Sequence, residues 1–404
     1  MRTHPTSPGS FRTRKNRTLS IPGGIPQVHS RGINPDRILL FGSGPAVGLG
    51  MPSHDAALPG RVAQALTAIT GRGTDIDVVA SRDITAANAV DVLDSHHVDR
   101  YDAIVIFLGV SDAVAMMPEK EWRRSLFELA RFALAESSAS TSVTFATLEP
   151  RQVPWDSLRG SAEKHIRLLN LNASEIAAIR FTATDDRLGH IGLEASAGRI
   201  EKVRSAAEYQ QWANQIAQAL APRLTAAATV DPRQLAAVGN THSLSRPRWR
   251  QDEGDRARSV ERLRLLDSAP DARIDAIVAR AKAKFGLAGA AFTVLDTDRM
   301  WAKSTTGGMP QQVGLDQSIC KMTIQSSGPF IVPDTSIDDR IVGARHPKFY
   351  AGFPIEAPDG QRIGSLCVYD SEAHDASVID QSVLRDFALE IQQELWRYEP
   401  GAAQ

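Results

Sequence analysis

"ILLFGSGPAVGLG", residues 38–50, joins four apolar residues to a turn built of Gly, Ser, Gly and Pro. An apolar run that short, ended by a glycine-rich turn, reads as a strand buried on both faces. Such a strand belongs to a parallel sheet. Its turn falls at the carboxyl edge of that sheet, where open α/β folds bind their ligands.

The same grammar continues from Asp36 to Arg223. "DIDVVAS" (75–81), "YDAIVIFLG" (101–109) and "SVTFATLE" (142–149) read as further strands. "LPGRVAQALTAIT" (58–70), "TAANAVDVLDSH" (85–96), "KEWRRSLFELARFALAESS" (120–138) and "AAEYQQWANQIAQALAPRL" (206–224) read as helices between and after them. Apolar runs separated by amphipathic helices predict a three-layer α/β domain over residues 36–223, with a parallel sheet covered on both faces.

On either side the composition changes. Residues 1–35 hold six Lys or Arg and no Asp or Glu, with repeated Pro, Ser and Gly. That segment cannot bury enough apolar surface to offset its ordering entropy, and it reads as a disordered basic arm. Residues 224–254 lack sustained periodicity and read as a linker. From Arg256 a second pattern begins, and residues 255–396 read as an α+β domain with a short tail at 397–404. Helices at both ends, "RARSVERLRLLDSAP" (256–270) and "SVIDQSVLRDFALEIQQELWRYE" (377–399), enclose strands. Among them "FYAGFPIEAPDGQRIGSLCVYD" (349–370) carries an Asp-Gly hairpin signal.

The bulk numbers exclude several classes. A net charge of −1 gives no global attraction to nucleic acid or acidic membranes. No stretch approaches the ~20 apolar residues of a membrane span, and "TLSIPGGIPQVHSRG" after the basic start is no signal-peptide core. The two cysteines, Cys320 and Cys367, make neither a disulfide framework nor a metal site. The expectation is a cytoplasmic chain without membrane, metal, cofactor or specific nucleic-acid partner.

Residues 36–223 resemble the SGNH (GDSL-type) esterase and lipase superfamily, a resemblance that implies a flavodoxin-like three-layer fold. In that family the first strand ends in Gly-Asp-Ser, a later Gly and a Gly-x-Asn-Asp block build the oxyanion hole, and a terminal Asp-x-x-His completes a triad. The first block is matched by Gly42, Ser43 and Gly44, which puts a glycine at the nucleophile position. The third is matched by Gly109, Ser111 and Asp112, with serine in place of asparagine. Alignment of the last helix through Tyr209 puts Ile200 and Val203 at the Asp and His positions. A triad needs a hydroxyl, a base and an orienting carboxylate, and these positions supply none of them. The resemblance therefore implies a catalytically degenerate domain. Ser43 with Asp185 and His190 of "TDDRLGH" is the alternative set if hydrolysis survives. The glycine-rich turn presents backbone amides suited to an anion or carbonyl, in a crevice lined by His54, Asp55 and Ser111.

"RLRLLDSAPDARIDAIVARAKAKFGLAGAAFTVLD" (262–296), "SICKMTIQSSGPFIVPDTSIDDRIVG" (318–343) and the 349–370 stretch resemble a GAF domain, a sensor fold of bacterial signalling proteins. That resemblance implies a small-ligand pocket between sheet and crossing loops, or a dimerisation role. The lining candidates are Trp301, Lys303, Cys320, Asp334, Asp338, Arg340 and Phe349. Cys320, at the start of a helix, is also a candidate redox thiol, and His346 a candidate haem ligand; simple packing of the thiol and a structural histidine are the alternatives.

The reading that joins these parts is a ligand-sensing or signalling protein coupling a noncatalytic SGNH-like binding domain to a GAF sensor. A GAF-regulated esterase using Ser43 and a structural homodimer stand beside it. The homodimer would pair Arg262, Leu263, Leu265 and Leu266 with "FALEIQQELW" (387–396) of a second copy. A protein signalling partner and an unidentified small molecule in the GAF pocket complete the expectations.

Overall fold

The computed structural model describes residues 20–148, 159–180, 186–194, 205–228, 253–326, 328–341 and 346–398. The first domain runs β1 (Gln27–His29), β2 (Asp36–Gly42), α1 (Leu58–Thr70), β3 (Thr74–Ala80), α2 (Ala89–Asp94), β4 (Ala103–Phe107) and α3 (Val110–Val114). It continues with α4 (Glu119–Glu136), β5 (Ser142–Leu148), α5 (Arg159–Ala177), β6 (Leu188–Leu193) and α6 (Ala206–Ala228). The sheet order is β1-β3-β2-β4-β5-β6. The strands from β2 to β6 run parallel, which apart from β1 is the 2-1-3-4-5 order of a flavodoxin-like doubly wound sheet.

Side-chain alternation along β2 explains its unbroken apolar run. Ile38 and Leu40 point into one layer, with Val62 and Leu66 of α1 and Trp212 and Ile216 of α6. Leu39 and Phe41 point into the other, with Trp122, Leu126 and Leu129 of α4 and Leu169 of α5. A strand covered on both faces has no reason to carry a polar residue at every second position.

Three sequence boundaries shift. The arm assigned to residues 1–35 is ordered in its last part, because Gln27–His29 pairs antiparallel with β3. Its first 19 residues lie outside the described set. The linker assigned to 224–254 is shorter at both ends, because α6 runs to Ala228 and the next described helix starts at Glu253.

The second domain comprises α7 (Glu253–Leu263), α8 (Ala272–Phe285), β7 (Gly289–Leu295), β8 (Arg299–Thr306) and β9 (Gln312–Gly314). After them come α9 (Cys320–Thr323), β10 (Phe330–Val332), β11 (Phe349–Glu356), β12 (Arg362–Asp370) and α10 (Gln381–Leu395). An antiparallel sheet in the order β10-β11-β12-β7-β8-β9 carries α7, α8 and α10 on one face. The other face holds α9 and the crossing loops. The expected hairpin is β11–β12, with Gly360 at φ 87° in its turn and Ala357 N–H donating to Gln361 O at 2.8 Å.

Leu263 and Leu265, proposed for pairing with a second copy, are buried at 1% and 0% exposure in their own domain's core beside Ile391 and Leu395. Arg262 reaches Asp359 at 2.8 Å. The apolar part of that expected dimer face is thus already covered by the chain itself, with Leu266 packed against the same core.

The two domains meet through polar groups. Arg37 on β2 makes a two-pronged pair with Glu356 on β11, at 2.5 and 3.1 Å. Arg385 on α10 donates to Ser30 O at 3.0 Å and pairs with Asp75 on β3. Gln361 in the hairpin turn lies 2.7 Å from His97 Nε2, and Trp396 Nε1 donates to Gln27 Oε1 at 3.2 Å. The short strand β1 and the amino-terminal edge of the first sheet are therefore the docking platform.

Candidate functional site

At the carboxyl edge of the first sheet the two expected glycine blocks come together. β2 and β4 are parallel neighbours, and Ser43 N–H donates to Phe107 O at 2.7 Å. A Cβ on Gly42 would lie 2.1 Å from that carbonyl oxygen, at a φ of 117°, so only glycine fits there. Asp112 is buried and accepts from Ala86 N at 2.8 Å and Gly109 N at 3.0 Å. Burial raises its pKa, and the two amide donors work against that rise. Its carboxylate ties two loops together. Ser111 turns its hydroxyl to Arg82 O at 3.0 Å. Gly44 has only side chains, Val110 and Leu148, near its would-be Cβ.

Ser43 and His190 of the alternative catalytic set do not come together. Ser43 is 1% exposed and its hydroxyl has no hydrogen-bond partner among the described residues. His190 lies on β6, three strand spacings from β2, which is roughly 14 Å across the sheet. Its Nε2 is held by Thr147 Oγ1 at 2.8 Å, and burial lowers its pKa. Asp185, Ile200 and Val203 lie outside the described residues. His54 sits in the turn before α1 with its Nδ1 buried, and burial lowers its pKa, while neighbouring Asp55 is exposed.

A cavity of about 340 Å³ lies on the loop-covered face of the second sheet. Met300, Met309, Val313, Ile319, Tyr350 and Tyr369 give it an apolar wall, and Gln317, Ser318, Cys320 and His346 supply polar atoms. Its size is at the lower end for small-molecule sites. No Lys, Arg, Asp or Glu is among the described residues that line it. Ser318 is 8% exposed, and its Oγ is buried without a partner among the described residues. Behind the wall a hydroxyl chain runs through Thr323 Oγ1, Tyr350 Oη and Ser365 Oγ to Thr293 Oγ1, with steps of 2.7, 3.5 and 3.1 Å. Burial pushes the Tyr350 phenol well up, so it stays a donor.

Of the seven expected lining residues, Cys320 is on the cavity wall. Phe349 belongs to the helix-side core, because Tyr350 next to it takes the cavity side. Lys303 also serves the helix side, donating to Ser268 Oγ at 2.6 Å and Ala269 O at 2.5 Å, and burial lowers its pKa. Trp301 pairs across from Val294, a helix-side position. Asp334 caps its own turn through Ser336, and Asp338 pairs with Arg340, which lies over the Phe330 ring. Local turn chemistry explains all three. Sequence reasoning missed Ser318, Met309 and Tyr369. Ser318 carried a signal, being one polar residue beside "ICKM", but nothing nearby in the chain shows that its hydroxyl stays unpaired.

Cys320 and Cys367 are free and buried in one cluster with Tyr350 and Tyr369. The Cys367 thiol and the Ser365, Thr293 and Tyr350 hydroxyls lower the Cys320 pKa against the opposing effect of burial. The Cys320 thiol and burial push Cys367 up. No helix among the described residues is long and apolar enough to cross a membrane, and none of their His, Cys, Asp and Glu groups forms a metal-binding cluster.

The second domain is thus an antiparallel sheet with helices on one face and a loop-walled cavity on the other. Residues 269–395 match the family model for the GAF domain, and this part of the chain is a GAF domain. A cyclic di-GMP phosphodiesterase of Pseudomonas aeruginosa is 32% identical over 135 residues, which are 32% of this chain and 23% of that protein. The chain thus matches under a quarter of that relative's length. A free methionine-R-sulfoxide reductase from Neisseria meningitidis is 16% identical, covering 38% of this chain and 96% of its own, with a TM-score of 0.28. A lipase from a goat rumen metagenome is 14% identical, covering 47% of this chain and 99% of its own, with a TM-score of 0.38.

Proposed function

We propose that the protein is a ligand-responsive signalling protein, in which the GAF cavity binds a small uncharged molecule and the first domain is a degenerate, noncatalytic SGNH-like binding domain. The observation that carries the reading is the cavity of about 340 Å³ with the buried, unpaired Ser318 hydroxyl in its wall. A buried hydroxyl without a partner costs about 1–3 kcal/mol, and a ligand acceptor or donor relieves that cost. The absence of charged side chains from the described wall favours a neutral ligand with an apolar body over a phosphate-bearing one. The curated relative works in cyclic di-GMP turnover by its name, which supports a signalling context. For the first domain, the support is a buried Ser43 hydroxyl and a His190 ring engaged by Thr147 on a distant strand.

Native mass spectrometry of the full chain tests the sensor reading. A small molecule retained natively and released on unfolding is expected, and Val313→Trp, which fills the cavity, should abolish it while circular dichroism stays unchanged. Retention by both proteins, or by neither after exposure to a neutral metabolite extract, would overturn the reading. A serine-directed fluorophosphonate probe tests the noncatalytic domain. No labelling is expected, and labelling abolished by Ser43→Ala would restore the esterase.

A further inference from the structure

We propose that Arg362 is a two-position relay between the GAF cavity and the first domain, donating either to the end of α9 or to the carboxylate that docks Arg37. The cavity wall runs straight into α9, since Ser318, Ile319 and Cys320 line it and Cys320 is the first residue of the helix. The helix ends at Ile324, whose carbonyl accepts from Arg362 Nη1 at 3.3 Å. Arg362 opens β12 directly across from Glu356, the last residue of β11, and its Nε lies 3.6 Å from Glu356 Oε1. The same carboxylate takes the two-pronged contact of Arg37, at 2.5 and 3.1 Å.

Glu356 therefore stands between two cations, one from each domain, and Arg362 stands between two acceptors. Burial would raise the Glu356 pKa, but Arg37 first, then Arg100 and Arg362, lower it, so the carboxylate is charged. Arg100 is itself held by Asp77 and the Tyr101 hydroxyl. Arg362 is 3% exposed, so little water screens the choice between carboxylate and carbonyl.

While Arg37 occupies Glu356 at the shorter distance, the Arg362 guanidinium stays on the α9 carbonyl. Once Arg37 withdraws, a charged acceptor competes with a neutral one and wins, because charge-assisted hydrogen bonds are about twice as strong. The last turn of α9 then loses its donor. The converse holds by linkage. Whatever lifts Ile324 off Arg362 turns that cation toward Glu356 and weakens the hold on Arg37. A cavity occupant that shifts α9 has this effect, and that step alone rests on the ligand reading above.

Hydrogen exchange of the full chain, read by mass spectrometry over residues 318–326, tests the relay without any ligand. The amides of Ile324, Gln325 and Ser326 donate to Cys320 O, Met322 O and Thr323 O and report the opening of this turn. Two variants break the same interdomain pair with different consequences. Arg37→Met leaves a bare carboxylate beside Arg362, and these amides should exchange about tenfold faster. Glu356→Gln removes the charge that attracts Arg362, so they should exchange at the wild-type rate although the same pair is broken. In an Arg362→Met background, Arg37→Met should change nothing further. Arg37→Lys keeps the charge without the two-pronged contact; it should give a smaller acceleration and serves if Arg37→Met does not fold. Equal acceleration in Arg37→Met and Glu356→Gln would mean plain undocking and overturn the proposal. So would unchanged exchange in both Arg37 variants, or an Arg37→Met effect that persists in full without Arg362. Failure to retain any small molecule would strike the ligand reading and leave these outcomes unchanged.

Discussion

Arg385 offers the sharpest test of how the two domains are held together. It is 2% exposed on α10, donates to Ser30 O at 3.0 Å and pairs with Asp75, which also accepts from His29 Nδ1 at 2.9 Å. Burial by itself would raise the Asp75 pKa, but Arg385 first and His29 second outweigh it and hold the carboxyl at about 2, against an ordinary 3.8. A drop of just under two units corresponds to about 2.5 kcal/mol at neutral pH. Arg385→Met removes the main cation and leaves the burial penalty. Loss of one partner of a buried pair costs about 3–5 kcal/mol, and the 15% exposure of the Asp75 side chain puts this case at the lower end, about 3 kcal/mol.

The assay is equilibrium urea unfolding of the full chain, followed by tryptophan fluorescence, since Trp396 lies at the junction. A depressed carboxyl stabilises the fold above its unfolded pKa and loses that contribution as pH falls through its folded pKa. The gap between wild type and Arg385→Met is therefore full at pH 7 and closes between pH 3.8 and about 2. A double-mutant cycle with Asp75→Asn should give a coupling of about 2 kcal/mol. A coupling below about 0.5 kcal/mol, the size of an exposed pair, or a gap independent of pH, would refute the reasoning.

The remaining predictions concern the first domain's loops and the cavity wall. Gly42→Ala should prevent folding, because its Cβ collides with Phe107 O at 2.1 Å, whereas Gly44→Ala, whose nearest neighbours are side chains at 3.6 and 3.9 Å, should cost only about 1–2 kcal/mol for its φ of 61°. Soluble yield and urea midpoints separate the two, and equal behaviour would contradict the crowding argument. Asp112→Ala strips the amides of Ala86 and Gly109 of their acceptor and should cost about 2–4 kcal/mol; a neutral change by calorimetry would mean that water replaces the carboxylate. Thr323→Val leaves the buried Tyr350 hydroxyl without its 2.7 Å partner and should cost about 1–3 kcal/mol, and a stabilising result would count against the hydroxyl chain.

Much of this architecture is written in short-range pattern. "RILLF" and "YDAIVIFLG" announce buried strands because each residue is covered from one side or the other, and periodic burial is a local property. The Asp-Gly turn at residues 359–360 announces the β11–β12 hairpin for the same kind of reason, since its geometry depends on adjacent residues alone. "QVH" at 27–29 announces nothing. In β1 only Val28 is buried, and the strand exists because the edge of β3 offers it hydrogen bonds.

Which face a side chain takes was decided further away. A bulge between Phe292 and Thr293 shifts the pairing of β8, and a slip of one residue exchanges the two faces of a strand. For that reason a list of cavity residues drawn from the right strands and loops still put Lys303 in the wrong layer, while on β11 the choice of Phe349 missed the cavity-facing Tyr350 by one position. The cavity gathers Met309, Ser318 and Tyr369 from separate segments, and one buried cluster holds Cys320 from a helix start with Cys367 from a strand centre. Arg37 and Glu356 are 319 positions apart. No local periodicity connects such partners, because a polar contact across domains depends on where two finished surfaces meet.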